Sequence, residues 1–305
     1  MTTTDRPAPA APAAAPSSGV AGRTVLTAFA PAVWGTTYLV TTQFLPHGHP
    51  LFAGLLRALP AGLLLLLAFR RLPHGVWWWR VLALGALNIG FFFPLLFIAA
   101  ERLPGGVAAT LGAIQPLLVI ALALPLLGER PAAAKIAWAV TGVAGVALVV
   151  LGPGAALDPL GLLAGAGSAL SMAAGVVLTR RWGRPAGVGS SVLASWLLTA
   201  GGLVLLPLTF LVEGAPPAID GAAAGGYLWL GLVGGLAAYL LWFRGLGTLP
   251  VTSVALLGLL SPIVAAVLGW LVLGQALRPV QLLGFALALA AIVGGQLVGR
   301  VRQRS

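Results

Sequence analysis

Residues 103–118 read LPGGVAATLGAIQPLL, and residues 249–264 read LPVTSVALLGLLSPIV. One offset of 146 positions (249 minus 103), held without a gap, sets Pro104 on Pro250, Leu111 on Leu257, Gly112 on Gly258 and Pro116 on Pro262. Carried further, it sets Gly128 on Gly274. Leucine-rich helices align readily by chance. Prolines and glycines each constrain the backbone, however, so matching them in register points to a duplicated helical unit.

The composition says where such a unit resides. Of 305 residues, 59% are hydrophobic and only 8% are charged. A soluble domain carries about 25% charged residues, because something must face water. With a mean hydropathy of +1.03, an ordinary cytosolic enzyme is excluded. A hydrocarbon core of about 30 Å needs about 20 apolar helical residues. Apolar runs bounded by Pro, Gly or charge predict ten such spans. They lie near 25–44, 50–69, 80–100, 106–127 and 133–152, then near 160–180, 189–212, 223–243, 251–273 and 280–299. The runs are continuously apolar, without the period-two alternation of a membrane β-barrel. Five spans per copy is an odd number, so the second copy enters the bilayer inverted. The expected fold is an all-α integral membrane protein of ten transmembrane helices in a 5+5 inverted repeat. Residues 23–152 and 153–299 form its halves. Residues 1–22, rich in Ala, Pro and Ser, form a disordered cytoplasmic tail, and residues 300–305 a basic one.

The net charge is +11 and the isoelectric point near 11.8. Nucleic acid would be a natural partner if these charges shared one soluble surface. They follow the spans instead. With the N-terminus inside, the internal segments hold Arg6, Arg23, Arg70, Arg71, Arg80, Arg130, Lys135, Arg180, Arg181, Arg184, Arg244, Arg300, Arg302 and Arg304. External segments hold only Arg102 and Arg278. This is the positive-inside bias, with both termini cytoplasmic. The basicity is a topology signal, and no nucleic-acid partner is expected.

Further stretches carry a family pattern: Trp34-Gly35-Thr36, Pro50 through Arg57, Pro104 through Pro116, Gly128-Glu129-Arg130-Pro131, Thr179-Arg180-Arg181-Trp182, and LGLLSPIVAAVLG from Leu257 to Gly269. Together these resemble the EamA-type transporters of the drug/metabolite transporter superfamily, over essentially everything after residue 22. The resemblance implies a 5+5 helical bundle that exports or exchanges small metabolites, amino acids or drugs. One departure is that Glu129 has Gln275 as its counterpart under the repeat offset.

Inverted repeats place substrate near the midplane, between the halves. At about 1.5 Å of rise per residue, Trp34, Asn88, Gln115, Ser171 and Ser261 fall roughly 12–16 Å into their spans. Polar groups at that depth are costly unless paired or facing a cavity. Gln115 and Ser261 are related by the offset, and each precedes a proline that frees backbone groups. Trp34 with Tyr38, and Asn88 with Phe92, share helical faces. Tyr239 sits where it would gate the inner mouth. These eight residues are the candidate substrate-binding set, the alternative being helix–helix hydrogen bonds and packing. Gly231, Gly234, Gly235 and Gly258 are expected to let helices approach closely. Arg57 lies inside a span, about 10 Å from its outer end, and fits either an anion-binding or a structural, snorkelling role.

No catalytic residue, cofactor or metal is expected. The chain has no cysteine, three histidines and six carboxylates, and these histidines and acids fall in loops, at span ends or in the tail. An enzyme acting on lipid-linked substrates needs an acid/base or metal motif that the short loops do not contain. A receptor or scaffold has no use for inverted symmetry. The expected partners are a small-molecule substrate and the lipid bilayer, with monomer and dimer both open. Arginine-rich, Ala/Gly-heavy usage suggests a bacterial source, hence the bacterial plasma (inner) membrane.

Overall fold

The computed structural model describes residues 18–112, 114–128, 133–150, 158–246, 257, 260–274 and 278–304. Among these, every regular element is a helix. The first half contains α1 (Ser18–Gly35), α2 (Thr37–Phe44), α3 (Pro50–Phe69), α4 (Trp77–Gly85), a π-helical turn (Ala86–Phe91), α5 (Phe92–Arg102), α6 (Gly105–Gly112), α7 (Gln115–Leu127) and α8 (Ala133–Val150). The second contains α9 (Pro159–Trp182), α10 (Ser190–Val212), α11 (Gly221–Leu228), a π-helical stretch (Trp229–Ala237), α12 (Ala238–Leu246), α13 (Leu260–Leu273) and α14 (Pro279–Arg304).

Among the described residues, six helical segments are long and apolar enough to cross a membrane: Pro50–Phe69, Trp77–Arg102, Gly105–Leu127, Pro159–Trp182, Ser190–Val212 and Gly221–Trp242. Shorter apolar helices cover Ile136–Val149, Leu260–Leu273 and Pro279–Ala291. Many large apolar side chains are exposed, such as Leu211 at 81% and Leu163 at 71%. Such a surface suits lipid, whereas water would demand polar groups.

Starts and stops follow local chemistry. Proline at the first position of α3 and α9 loses no hydrogen bond, because that N–H has no intrahelical partner. Asp158 and Asp220 cap α9 and α11, accepting from the N–H groups of Gly161 and Ala223 at 2.7 Å each. The Gly161 N–H chiefly holds the Asp158 carboxyl below its ordinary range, against the opposing effect of desolvation, and the guanidinium of Arg102 at 3.1 Å adds to the lowering.

Helices pair across the two halves. α3 lies against α10, and α8 against α14. α5 and its π turn lie against α9, as α12 lies against α1. α7 meets α9, as α13 meets α1. The two π segments also correspond, since adding 146 to residues 86–91 gives 232–237, inside Trp229–Ala237. At the α8–α14 crossing, Gly145 and Gly284 face each other so closely that a Cβ on either would lie 2.5–2.7 Å from the other's carbonyl oxygen.

Some boundaries differ from expectation. Helix α1 starts at Ser18, inside the expected tail, whose residues 1–17 lie outside the described residues. α14 continues to Arg304, so the basic C-terminal segment extends the last helix. The first and fourth spans are interrupted, at Thr36 and between Gly112 and Gln115. Glu129, Arg130, Pro131, Gln275, Gly258 and residues 249–256 lie outside the described residues.

Candidate functional site

The interruption at Thr36 turns α1 into α2. Both the amide and the hydroxyl of Thr36 donate to the carbonyl of Val33, at 3.0 and 2.7 Å. Trp34 is thereby directed into the bundle, against Tyr239 and Trp242, with ring centroids 5.4 and 5.2 Å away. Its indole N–H donates at 3.0 Å to the carbonyl of Gly234, in the second π segment.

The first π segment is filled in the same way. The Ser171 hydroxyl, on α9, donates to Leu87 O at 2.7 Å, and the Asn88 amide donates to Leu84 O at 2.8 Å. A π turn disturbs the regular backbone ladder, and in both halves a side chain from a neighbouring helix hydrogen-bonds a carbonyl within it. Asn88 fits only because Gly175 faces it: a Cβ there would overlap its amide atoms.

These elements enclose a cavity of about 680 Å³. Seven of the eight expected substrate-binding residues line it: Trp34, Tyr38, Asn88, Phe92, Gln115, Tyr239 and Ser261. Ser171 does not, and its hydroxyl is engaged by Leu87 O instead. Gln115 stands at the start of α7, where the fourth span restarts. Among the described residues, no side-chain hydrogen bond engages Gln115 or Ser261. Both bring polar groups into a largely apolar space.

Arg57 also lines the cavity and does not snorkel. It is 3% exposed, held by the Thr37 hydroxyl at 3.2 Å and by the rings of Phe93 and Phe97, whose centroids lie 4.7 and 6.0 Å from its guanidinium carbon. Among the expected packing glycines, Gly231 and Gly235 sit against the carbonyls of Leu56 and Arg57, at 3.0 and 2.8 Å from an added Cβ. Gly234 has only ordinary contacts, at 3.7 Å and beyond.

The cavity runs from Ala99 and Ala108 towards Arg184 and Ser190, at the end of the bundle that carries Arg180 and Arg181. The opposite end is cross-linked by carboxylate contacts. Just past α10, Glu213 accepts from the N–H groups of Leu51 and Phe52 at 2.6 and 2.9 Å, with His49 3.9 Å away. Glu101 accepts from Gly48 N at 3.3 Å, and Arg102 pairs with Asp158 at 3.1 Å.

Sequence reasoning missed Thr37, Phe93 and Trp242. Trp242 follows Tyr239 by three positions, and Thr37 follows Trp34 by three, so helical spacing carried a signal for both. Nothing in the sequence set Phe93 against Arg57. Among the described residues no cluster of three or more His, Asp or Glu is placed to hold a metal ion.

The model of the EamA-like transporter family matches the chain twice, over residues 22–151 and 159–294. Protein PecM of Dickeya dadantii is 48% identical over 87% of this chain and 89% of that protein. The "Probable terminal-alkyne amino-acid exporter" of Streptantibioticus cattleyicolor is 29% identical over 72% of this chain and 74% of that protein. The inner membrane transporter YedA of Escherichia coli K12 is 28% identical, over 86% of each. A solved crystal structure, 24% identical, superposes with a TM-score of 0.63 over 93% of this chain and 99% of that one, which establishes likeness of fold.

Proposed function

The chain belongs to the EamA-like transporter family, within the drug/metabolite transporter superfamily, and on that premise we propose that it exports small organic molecules by alternating access. The cavity of about 680 Å³ carries this reading. Its walls come from helices of both halves, and it reaches the arginine-rich end while carboxylate contacts tie the other end. Under the positive-inside rule that open end is cytoplasmic, so cargo loads from inside.

The rest of the topology follows. Ten spans form a 5+5 inverted repeat over residues 23–152 and 153–299, both termini lie in the cytoplasm, and the membrane is the bacterial plasma membrane. The paired π segments and the exchanged helix contacts support the repeat. In the transport cycle the halves rock about the α3–α10 and α8–α14 crossings, and the contacts of Glu213 and Glu101 release as the outer end opens. Gln115 and Ser261 supply hydrogen bonds to cargo that slides between Trp34, Tyr38, Phe92 and Tyr239. The amino-acid exporter among the relatives supports small metabolites and amino-acid derivatives as the cargo class.

Counterflow in proteoliposomes with a mixed pool of amino acids, aromatic acids and small metabolites tests this. Saturable uptake reduced at least tenfold by Gln115→Ala, with folding intact, is expected. Absence of counterflow across the pool, together with turnover of a lipid-linked compound by the solubilised protein, would instead support a membrane enzyme.

A further inference from the structure

Arg57 sits in the cavity wall as a permanent cation with no anion paired to it among the described residues. A guanidinium stays protonated at any physiological pH and presents five N–H donors. One of them reaches the neutral Thr37 hydroxyl at 3.2 Å, and the Nε–H has no acceptor. Two phenyl rings flank the group, and ring contacts return only part of the cost of removing a cation from water. Among the described residues no carboxylate pairs with it. Glu101, Asp158, Glu213 and Asp220 are engaged as caps and ties at the helix ends opposite Arg184, with the Glu213 contact to Leu51 about 9 Å of helix rise from Arg57 along α3.

Among the described residues, the cavity lining contains no aspartate or glutamate. An ammonium group entering it would meet Arg57 with no carboxylate to offset the repulsion. Opposite charge is welcome there, and aromatic surface for a flat apolar body comes from Trp34, Tyr239 and Trp242.

We infer that Arg57 is a specificity-determining binding residue for an organic monoanion. The cargo carries a carboxylate or a comparable acid on a planar apolar body, and lacks a free ammonium. The inference rests on the transporter reading only in calling the bound molecule cargo, since the anion site itself stands on geometry.

The test uses the full-length protein in nanodiscs and three indoles of similar size: indole-3-propionate, its neutral amide, and tryptamine. Wild-type protein is expected to bind the acid at least tenfold more tightly than the amide, and tryptamine most weakly. In Arg57→Met the acid should fall to the level of the amide, while the affinity for the amide stays within twofold. Arg57→Lys should keep a preference for the acid. Equal affinity for acid and amide in the wild type, or absence of binding of both, overturns the inference without any variant having to fold. A preference that survives in Arg57→Met overturns it too. Counterflow separates the two readings. Acid-selective binding without flux of the acid sinks transport and keeps the anion site, whereas flux of other solutes without acid preference does the reverse.

Discussion

Replacing Glu213 with Gln should loosen the closed end of the bundle. The carboxylate side chain is 7% exposed and accepts two backbone hydrogen bonds, at 2.6 and 2.9 Å, from the first turn of α3. Hydrogen bonds to a charged group contribute about 1.5–3 kcal/mol each, and an anion at a helix N-terminus adds about 0.3–1 kcal/mol. Glutamine keeps one neutral acceptor, so the net loss is about 2 kcal/mol, a factor of about 30 in an equilibrium constant. If the contact exists only while that end is closed, the opening equilibrium rises by this factor. The absence of native cysteine makes the assay direct. A Ser261→Cys reporter is labelled by an impermeant maleimide applied to the Glu213 face of oriented vesicles. The labelling rate should rise about 30-fold in the Glu213→Gln background. A rate within twofold of the parent, with Glu213→Gln merely lowering the melting temperature, would show that the contact persists in both states and would refute the latch.

Two further outcomes are expected. Asp158 holds a depressed pKa in the folded protein, chiefly through the Gly161 N–H. Its contribution is therefore present above the ordinary carboxylate pKa, about 3.9, and is lost as pH falls through the lower folded value. Asp158→Asn keeps the cap and should flatten the decline in melting temperature below about pH 4; an unchanged acid profile would assign that decline to other groups. Gly175→Ala should cost about 1–3 kcal/mol, because its methyl group overlaps the Asn88 amide, and should slow flux by displacing a cavity side chain. Denaturation and counterflow equal to the parent would contradict that contact.

Particular residues show where local information was enough and where it was not. Asp158 and Asp220 were legible only as acids at span ends, and in the structure they cap the helices that follow, because capping depends on a few adjacent atoms. Gln115 and Ser261 were legible through the duplicated prolines, and both line the cavity. Ser171 looked equivalent to Ser261 by depth, yet its hydroxyl is engaged by Leu87 in a π turn that no local pattern announced. Arg57 looked close enough to its helix end to snorkel, and packing against Phe93 and Phe97 keeps it inside.

By itself the sequence determined that the chain is a bundle of apolar helices, the approximate extent of most of them, and which polar residues lie deep. Those properties follow from bilayer thickness and the rise of a helix, which act on each segment alone. Only the tertiary structure decided which deep residues share one cavity, where the helices break into π turns, and that a cation stands there with no carboxylate paired to it among the described residues. Each of these depends on the rotation and close approach of helices distant in sequence, and packing across the whole bundle sets both.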